Sequence, residues 1–129
     1  MKFLVVEDDI STRMVLEALF GFLRDDDELV LAAGPTTALK KLKRIKFDAA
    51  ILDNNLLNDP HAGLKLKTLI EKNYPVTKCV VVSALPSPGD GVLPKPNTVA
   101  TLRELIQLIF PGLRISYEGT ERRKDGWLS

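Results

Sequence analysis

The sequence predicts an α/β fold in which a parallel sheet is covered by helices on both faces. Three observations predict it. Ala49-Ala50-Ile51-Leu52 runs straight into Asp53-Asn54-Asn55; a short, wholly apolar run of this kind reads as a strand buried on both faces. Phe3-Leu4-Val5-Val6 runs into Glu7-Asp8-Asp9, Cys79-Val80-Val81-Val82 into Ser83, and Gly91-Val92-Leu93-Pro94 into Lys95-Pro96, so several strands end on polar residues. Between these runs lie stretches with helical periodicity. Strands alternating with helices form parallel βαβ units, and right-handed crossovers place the helices on both faces.

Taken in order, Lys2 to Val6 is the first strand. Asp9 or Ser11 caps a helix to about Leu23, on which Val15, Ala18, Leu19 and Phe22 recur at helical spacing. Arg24-Asp25-Asp26-Asp27 is a polar connection, and Glu28 to Ala32 a second strand. Gly34-Pro35-Thr36 is a turn opening a helix to about Ile45 that buries Ala38, Leu39 and Leu42. Phe47 to Leu52 is the third strand and Asn54 to Pro60 a loop. A helix from about His61 to Asn73 carries Leu64, Leu66, Leu69 and Ile70 and stops at Tyr74-Pro75. Lys78 to Val82 is the fourth strand, Leu85 to Gly91 a proline- and glycine-rich loop, and Val92 to Pro94 a short fifth strand. Asn97 or Thr98 caps a last helix to Phe110, with Val99, Leu102, Leu105, Ile106 and Ile109 toward the core. Residues 1–110 thus form one domain and 111–129 a tail.

Composition narrows the function classes. A chain of 129 residues with 45% hydrophobic and 27% charged residues is one ordinary globular domain. A net charge of +1 offers no electrostatic case for nucleic acid or an anionic membrane. The single cysteine, Cys79, forms no intrachain disulfide, fits a reducing compartment and reads as a packing residue. The apolar run at the amino terminus is too short for a signal peptide, and no stretch is long enough to span a bilayer; the expected address is cytoplasmic. His61 has no second histidine or cysteine at ligand spacing, so zinc is not supported.

If the strands are parallel neighbours, three carboxylates, a hydroxyl and an ammonium meet at one sheet edge, where open α/β sheets bind ligands. Each piece has an ordinary reading. An acid pair after a strand suits a helix amino terminus, Asp53-Asn54-Asn55 suits a loop, and Lys95-Pro96 suits a turn. Their joint occurrence at strand ends favours a site. The set Glu7-Asp8, Asp53, Ser83 and Lys95-Pro96 resembles the receiver domain of two-component response regulators, over Met1 to Phe110.

The resemblance implies a flavodoxin-like sheet of order 2-1-3-4-5 and phosphorylation of Asp53 by a histidine kinase or phosphotransfer protein. It implies Mg²⁺ held by Asp8, Asp53 and the backbone carbonyl of Asn55, with Glu7 acting through water, and Ser83 and Lys95 on the phosphoryl oxygens. Such a cation would offset the charge of the incoming group, and it takes oxygen ligands. The Lys95–Pro96 peptide is often cis in the family. The implied protein is a signalling switch with self-catalysed phosphoryl transfer and hydrolysis, not a metabolic enzyme, and its output is a changed contact with a downstream protein.

The chain departs from the family pattern at three places. About eleven residues separate Ser83 from Lys95, where a helix, a strand and two turns need roughly twenty; the helix between the fourth and fifth strands is therefore expected to be missing or reduced. The family's aromatic switch position is Val92, and its usual proline after the phosphoacceptor is Leu57, in a loop that is extended up to Gly63. An uncovered sheet face invites a partner. The tail, with Leu113, Ile115 and Tyr117 at strand spacing and Trp127 beyond, is expected to cover it as an extra strand or to form a homodimer contact. The alternatives are a pseudo-receiver that signals by binding without phosphate, and an aspartate-nucleophile phosphatase. The second is weak, because Asn55 stands where its acid would be. A dinucleotide site is weaker still, since no G-x-G-x-x-G follows the first strand.

Overall fold

The computed structural model describes residues 1–23, 27–85 and 91–113. Five strands, β1 (Lys2–Val6), β2 (Glu28–Ala32), β3 (Ala49–Asp53), β4 (Lys78–Ser83) and β5 (Leu93–Pro94), form one sheet of order β2-β1-β3-β4-β5. Every pairing is parallel. Four helices, α1 (Ile10–Leu23), α2 (Pro35–Arg44), α3 (Ala62–Asn73) and α4 (Val99–Ile109), complete the described fold. The flavodoxin-like order expected from the sequence is present.

Strand alternation builds two cores. Leu4, Val6, Ala50, Leu52 and Val81 face one way and pack with Ala38 and Leu42 of α2 and Leu66 and Ile70 of α3. Phe3, Val5, Ala49, Ile51 and Val82 face the other way and pack with Leu16 and Phe20 of α1 and Leu102, Leu105, Ile106 and Ile109 of α4. Buried on both sides, β1 from Phe3 to Val6 and β3 from Ala49 to Leu52 are wholly apolar before they run into polar residues, as a central parallel strand requires.

The buried face of α1 differs from expectation. Leu16 and Phe20 are buried, while Val15 and Phe22 are 46% and 41% exposed. The helix is apolar nearly all round, so spacing alone leaves its rotation undetermined, and packing against both the sheet and α4 sets it. Asp9 is its cap: Oδ2 accepts from the N–H and hydroxyl of Thr12 at 3.2 and 2.6 Å, and those bonds hold the carboxyl below its ordinary range. Gly34 precedes α2, with Pro35 at its first position, so Pro35 and Thr36 lie inside the helix and not in the turn. β3 begins at Ala49; Phe47 is buried in the preceding connection, where its carbonyl accepts from Thr77 Oγ1 at 2.8 Å. Thr98 caps α4 through a reciprocal box with Thr101.

Among the described residues no helix lies between β4 and β5. β5 is two residues long, and Val92 is buried against the α2–α3 core. Leu113 packs on the α1–α4 core; the strand or interface expected of Ile115, Tyr117 and Trp127 lies outside the described residues. Cys79 is packed and half-buried, and burial pushes its thiol up to about 12, which fits packing and not reactivity. No helix among the described residues is long and apolar enough to cross a membrane.

Gly63, in the first turn of α3, is where the helix meets the sheet edge. A Cβ there would lie 2.6 Å from the Asp53 carbonyl oxygen and 2.8 Å from Asn54 Cα, both backbone atoms that cannot swing away. In α1, a Cβ on Gly21 would meet nothing within 4 Å. Gly63→Ala is therefore expected to lower stability by about 2 kcal/mol, and Gly21→Ala to raise it by about 0.5–1 kcal/mol. Urea midpoints moving in the same direction for both would contradict this packing.

Candidate functional site

The carboxyl ends of the strands carry the polar residues singled out in the sequence, and the sheet order brings them together. Glu7 follows β1 and is pinned by its N–H to the Ala32 carbonyl at 2.9 Å. Asp53 ends β3, between β1 and β4. Ser83 ends β4, and Lys95 follows β5 with its N–H on the Ser83 carbonyl at 2.9 Å. All four line one cavity of about 320 Å³, together with Asp8, Asp9, Asn55 and Asn58.

Lys95 is the centre of the cavity's electrostatics. Its Nζ lies 2.6 Å from Glu7 Oε1 and 3.1 Å from Asp53 Oδ2. Glu7 and Asp53 are 2% and 4% exposed. Two carboxylates at such depth need a cation or a shared proton. The remaining oxygens are also engaged: Glu7 Oε2 accepts from Asp9 N–H at 3.2 Å, and Asp53 Oδ1 from Asn55 N–H at 3.1 Å. Burial pushes the Glu7 carboxyl up to about 7; its bond to Lys95 pulls the other way, and Asp53 adds to the rise. Burial alone would lower Lys95, but its bonds to Glu7 and Asp53 outweigh that and raise it. Ser83 Oγ accepts from Leu85 N–H at 3.3 Å, which leaves its own proton free to donate. Among the described residues all peptide bonds are trans, Lys95–Pro96 included.

Asp8 is less buried than its neighbour Glu7, and its Oδ2 accepts from Leu57 N–H at 3.1 Å. Carboxylate oxygens of Glu7, Asp8 and Asp53 lie within 4.8 Å of one another. The donor set is hard oxygen throughout, so this cluster could hold a divalent metal of the Mg²⁺ type. Asn55 is on the cavity wall beside them.

Sequence reasoning missed the scaffolding under these residues. Asn54, 9% exposed, donates its N–H to the Val82 carbonyl and accepts from Leu64 N–H on Oδ1 at 3.1 Å, thereby capping α3 from the end of β3. Asn54 adjoins β3 and is separated from α3 by the whole Asn55–His61 loop, so no local capping spacing marks it. The extended loop is a tight hairpin: Leu56 and Asp59 exchange both backbone hydrogen bonds, and Leu57 and Asn58 have φ of 52° and 67°. Asn58 suits that conformation; Leu57 does not, so nothing in the sequence marked it.

No model of a protein family matches the chain. The transcriptional regulatory protein FlgR of Helicobacter pylori is 45% identical over 75 residues, which are 57% of this chain and 18% of that protein. The chain thus spans less than a fifth of that relative's length. Among solved structures, the chemotaxis response regulator CheY4 of Vibrio cholerae superposes with a TM-score of 0.72 at 25% identity, over 84% of this chain and 98% of that one. The response regulator TrrA of Thermotoga maritima, in complex with Mg²⁺ and BeF, gives 0.71 at 22% identity over 84% and 98%. The CheY-like receiver domain of Methanospirillum hungatei gives 0.69 at 23% over 82% and 90%. The chain has the fold of a CheY-like response-regulator receiver domain, a signalling fold.

The Glu7 shift sets a pH dependence of unusual sign for a carboxylate. With the folded value at about 7 against an ordinary 4.5, the folded chain holds the extra proton in between. The Glu7 contribution to stability is thus full below the ordinary value and is lost as pH rises to the folded one. Relative to Glu7→Gln, the parent's urea midpoint should fall between about pH 5 and about pH 7.5. Parallel profiles for the two chains would contradict the assignment.

Proposed function

We propose that the chain is a phosphoacceptor switch, with Asp53 taking a phosphoryl group from a histidine kinase or phosphotransfer protein. The observation that carries this reading is the Lys95 ammonium set 3.1 Å from Asp53 Oδ2, in a cavity that also holds Asp8 and Ser83. One oxygen of Asp53 attacks phosphorus, the bond from phosphorus to the donor nitrogen breaks, and its electron pair leaves on that nitrogen. Lys95 moves its charge from the carboxylates to the transferred oxygens, and Ser83 donates its hydroxyl proton to them. Asp8, Asp53 and the Asn55 carbonyl, with Glu7 through water, would hold Mg²⁺, which offsets the phosphoryl charge when bound. Hydrolysis returns phosphate and the free carboxylate, so the chemistry is confined to the domain's own modification.

The domain occupies residues 1–110, and the tail 111–129 serves an added strand or a homodimer contact. The output is a changed contact with a downstream protein, through the segment after Ser83, in the cytoplasm that a lone thiol suits. Nucleic acid and membrane are not partners of this chain.

A pseudo-receiver that binds without phosphate is the second reading. It is favoured by a buried Val92 at the aromatic position and by the lack of a described helix between β4 and β5. A small phosphodonor with Mg²⁺ separates the two. The parent should gain the mass of one phosphoryl group, and Asp53→Asn, Lys95→Ala and chelated samples should not. A parent without the gain would give the case to the pseudo-receiver.

A further inference from the structure

We propose that the main-chain N–H of Leu57 is a positioning group for the Asp8 carboxylate, delivered by the left-handed Leu57–Asn58 turn. The inference rests on the cation reading above and concerns how the chain prepares one ligand for it. Glu7 and Asp53 are fixed by burial and by Lys95, whereas Asp8 is less buried and forms no ion pair with Lys95 among the described residues. Its Oδ2 instead meets Leu57 N–H at 3.1 Å, across 49 residues of sequence. An N–H on an ionised carboxylate is a strong, directional contact, and it leaves the other oxygen for a metal.

The backbone around Leu57 is arranged at some cost to deliver that donor. Leucine rarely adopts positive φ, yet Leu57 sits at 52° and Asn58 at 67°. The exchanged bonds of Leu56 and Asp59, at 3.1 and 2.9 Å, close the turn beneath them. Leu56 anchors the turn in the core at 1% exposure, but the Leu57 side chain is 68% exposed, so burial of Leu57 itself does not account for its positive φ. Its Cδ1 lies 3.3 Å from where a Cβ on Gly34 would be, which ties the turn to the head of α2. A proline at this position, which the resemblance leads one to expect, has no N–H to give.

Partners that orient a ligand typically change metal affinity by tenfold or more when removed. The test is Mg²⁺ titration calorimetry on the full chain, with amide hydrogen exchange at Leu57. Leu57→Pro, which loses the donor, should bind Mg²⁺ about tenfold more weakly. Leu57→Gly, which keeps the donor and accepts the positive φ, should restore parental affinity. Asp8→Ala should speed exchange of the Leu57 amide severalfold, a readout that stands even if Leu57→Pro fails to fold. A folded Leu57→Pro with parental affinity, a Leu57→Gly as weak as Leu57→Pro, or unchanged Leu57 exchange in Asp8→Ala would each overturn the inference. A parent that binds Mg²⁺ but takes up no phosphoryl group would remove the phosphoacceptor reading alone, and a parent that binds no Mg²⁺ would remove both.

Discussion

Two buried carboxylates share one ammonium, and the architecture around the sheet edge follows from that pairing. Glu7 and Asp53 come from neighbouring central strands, so the same apolar packing that places β1 beside β3 forces their side chains into one another's company. Left alone, two charges at that depth would repel and protonate. Lys95 supplies the countercharge, and its backbone is bonded to the end of β4 by way of a strand only two residues long. β5 adds little to either core; its contribution is to set the lysine at the right height.

Much of this was legible in the residues, because the signals are physical and local. Apolar runs ending in acids marked β1 and β3, and such strands place their last side chains at the ligand-binding edge whatever the helices do. The amphipathic spacing of α4 was clear, with Leu102, Leu105, Ile106 and Ile109 all buried as expected. α1 was harder. With Met14, Val15, Leu16, Ala18, Leu19 and Phe20 interrupted only by Glu17, no single stripe stands out, and tertiary contact with α4 decides its rotation. Contacts between distant segments left no trace at all: Asn54 capping α3, the backbone approach at Gly63, and Leu57 on Asp8 each depend on how two segments meet.

The departures from the family pattern fall on the rim of the cavity and not at its centre. The hairpin of Leu56 to Asp59 forms one wall, and Ala84 and Leu85 after β4 form part of another. Glu7, Asp53, Ser83 and Lys95 keep their places at the strand ends. Chemistry at a receiver's acidic edge depends on the centre, while the choice of donor and target depends on surfaces around it. The proposed switch is therefore conservative in what it does to phosphate and particular in what it touches.

The shared ammonium is open to direct measurement by a double-mutant cycle on Lys95→Met and Asp53→Asn, read by urea denaturation at neutral pH. Paired as described, the two substitutions should be strongly non-additive, with a coupling of about 1 kcal/mol or more. Additive effects, within about 0.3 kcal/mol, would mean that the lysine does not reach the carboxylate and would contradict the account at its root.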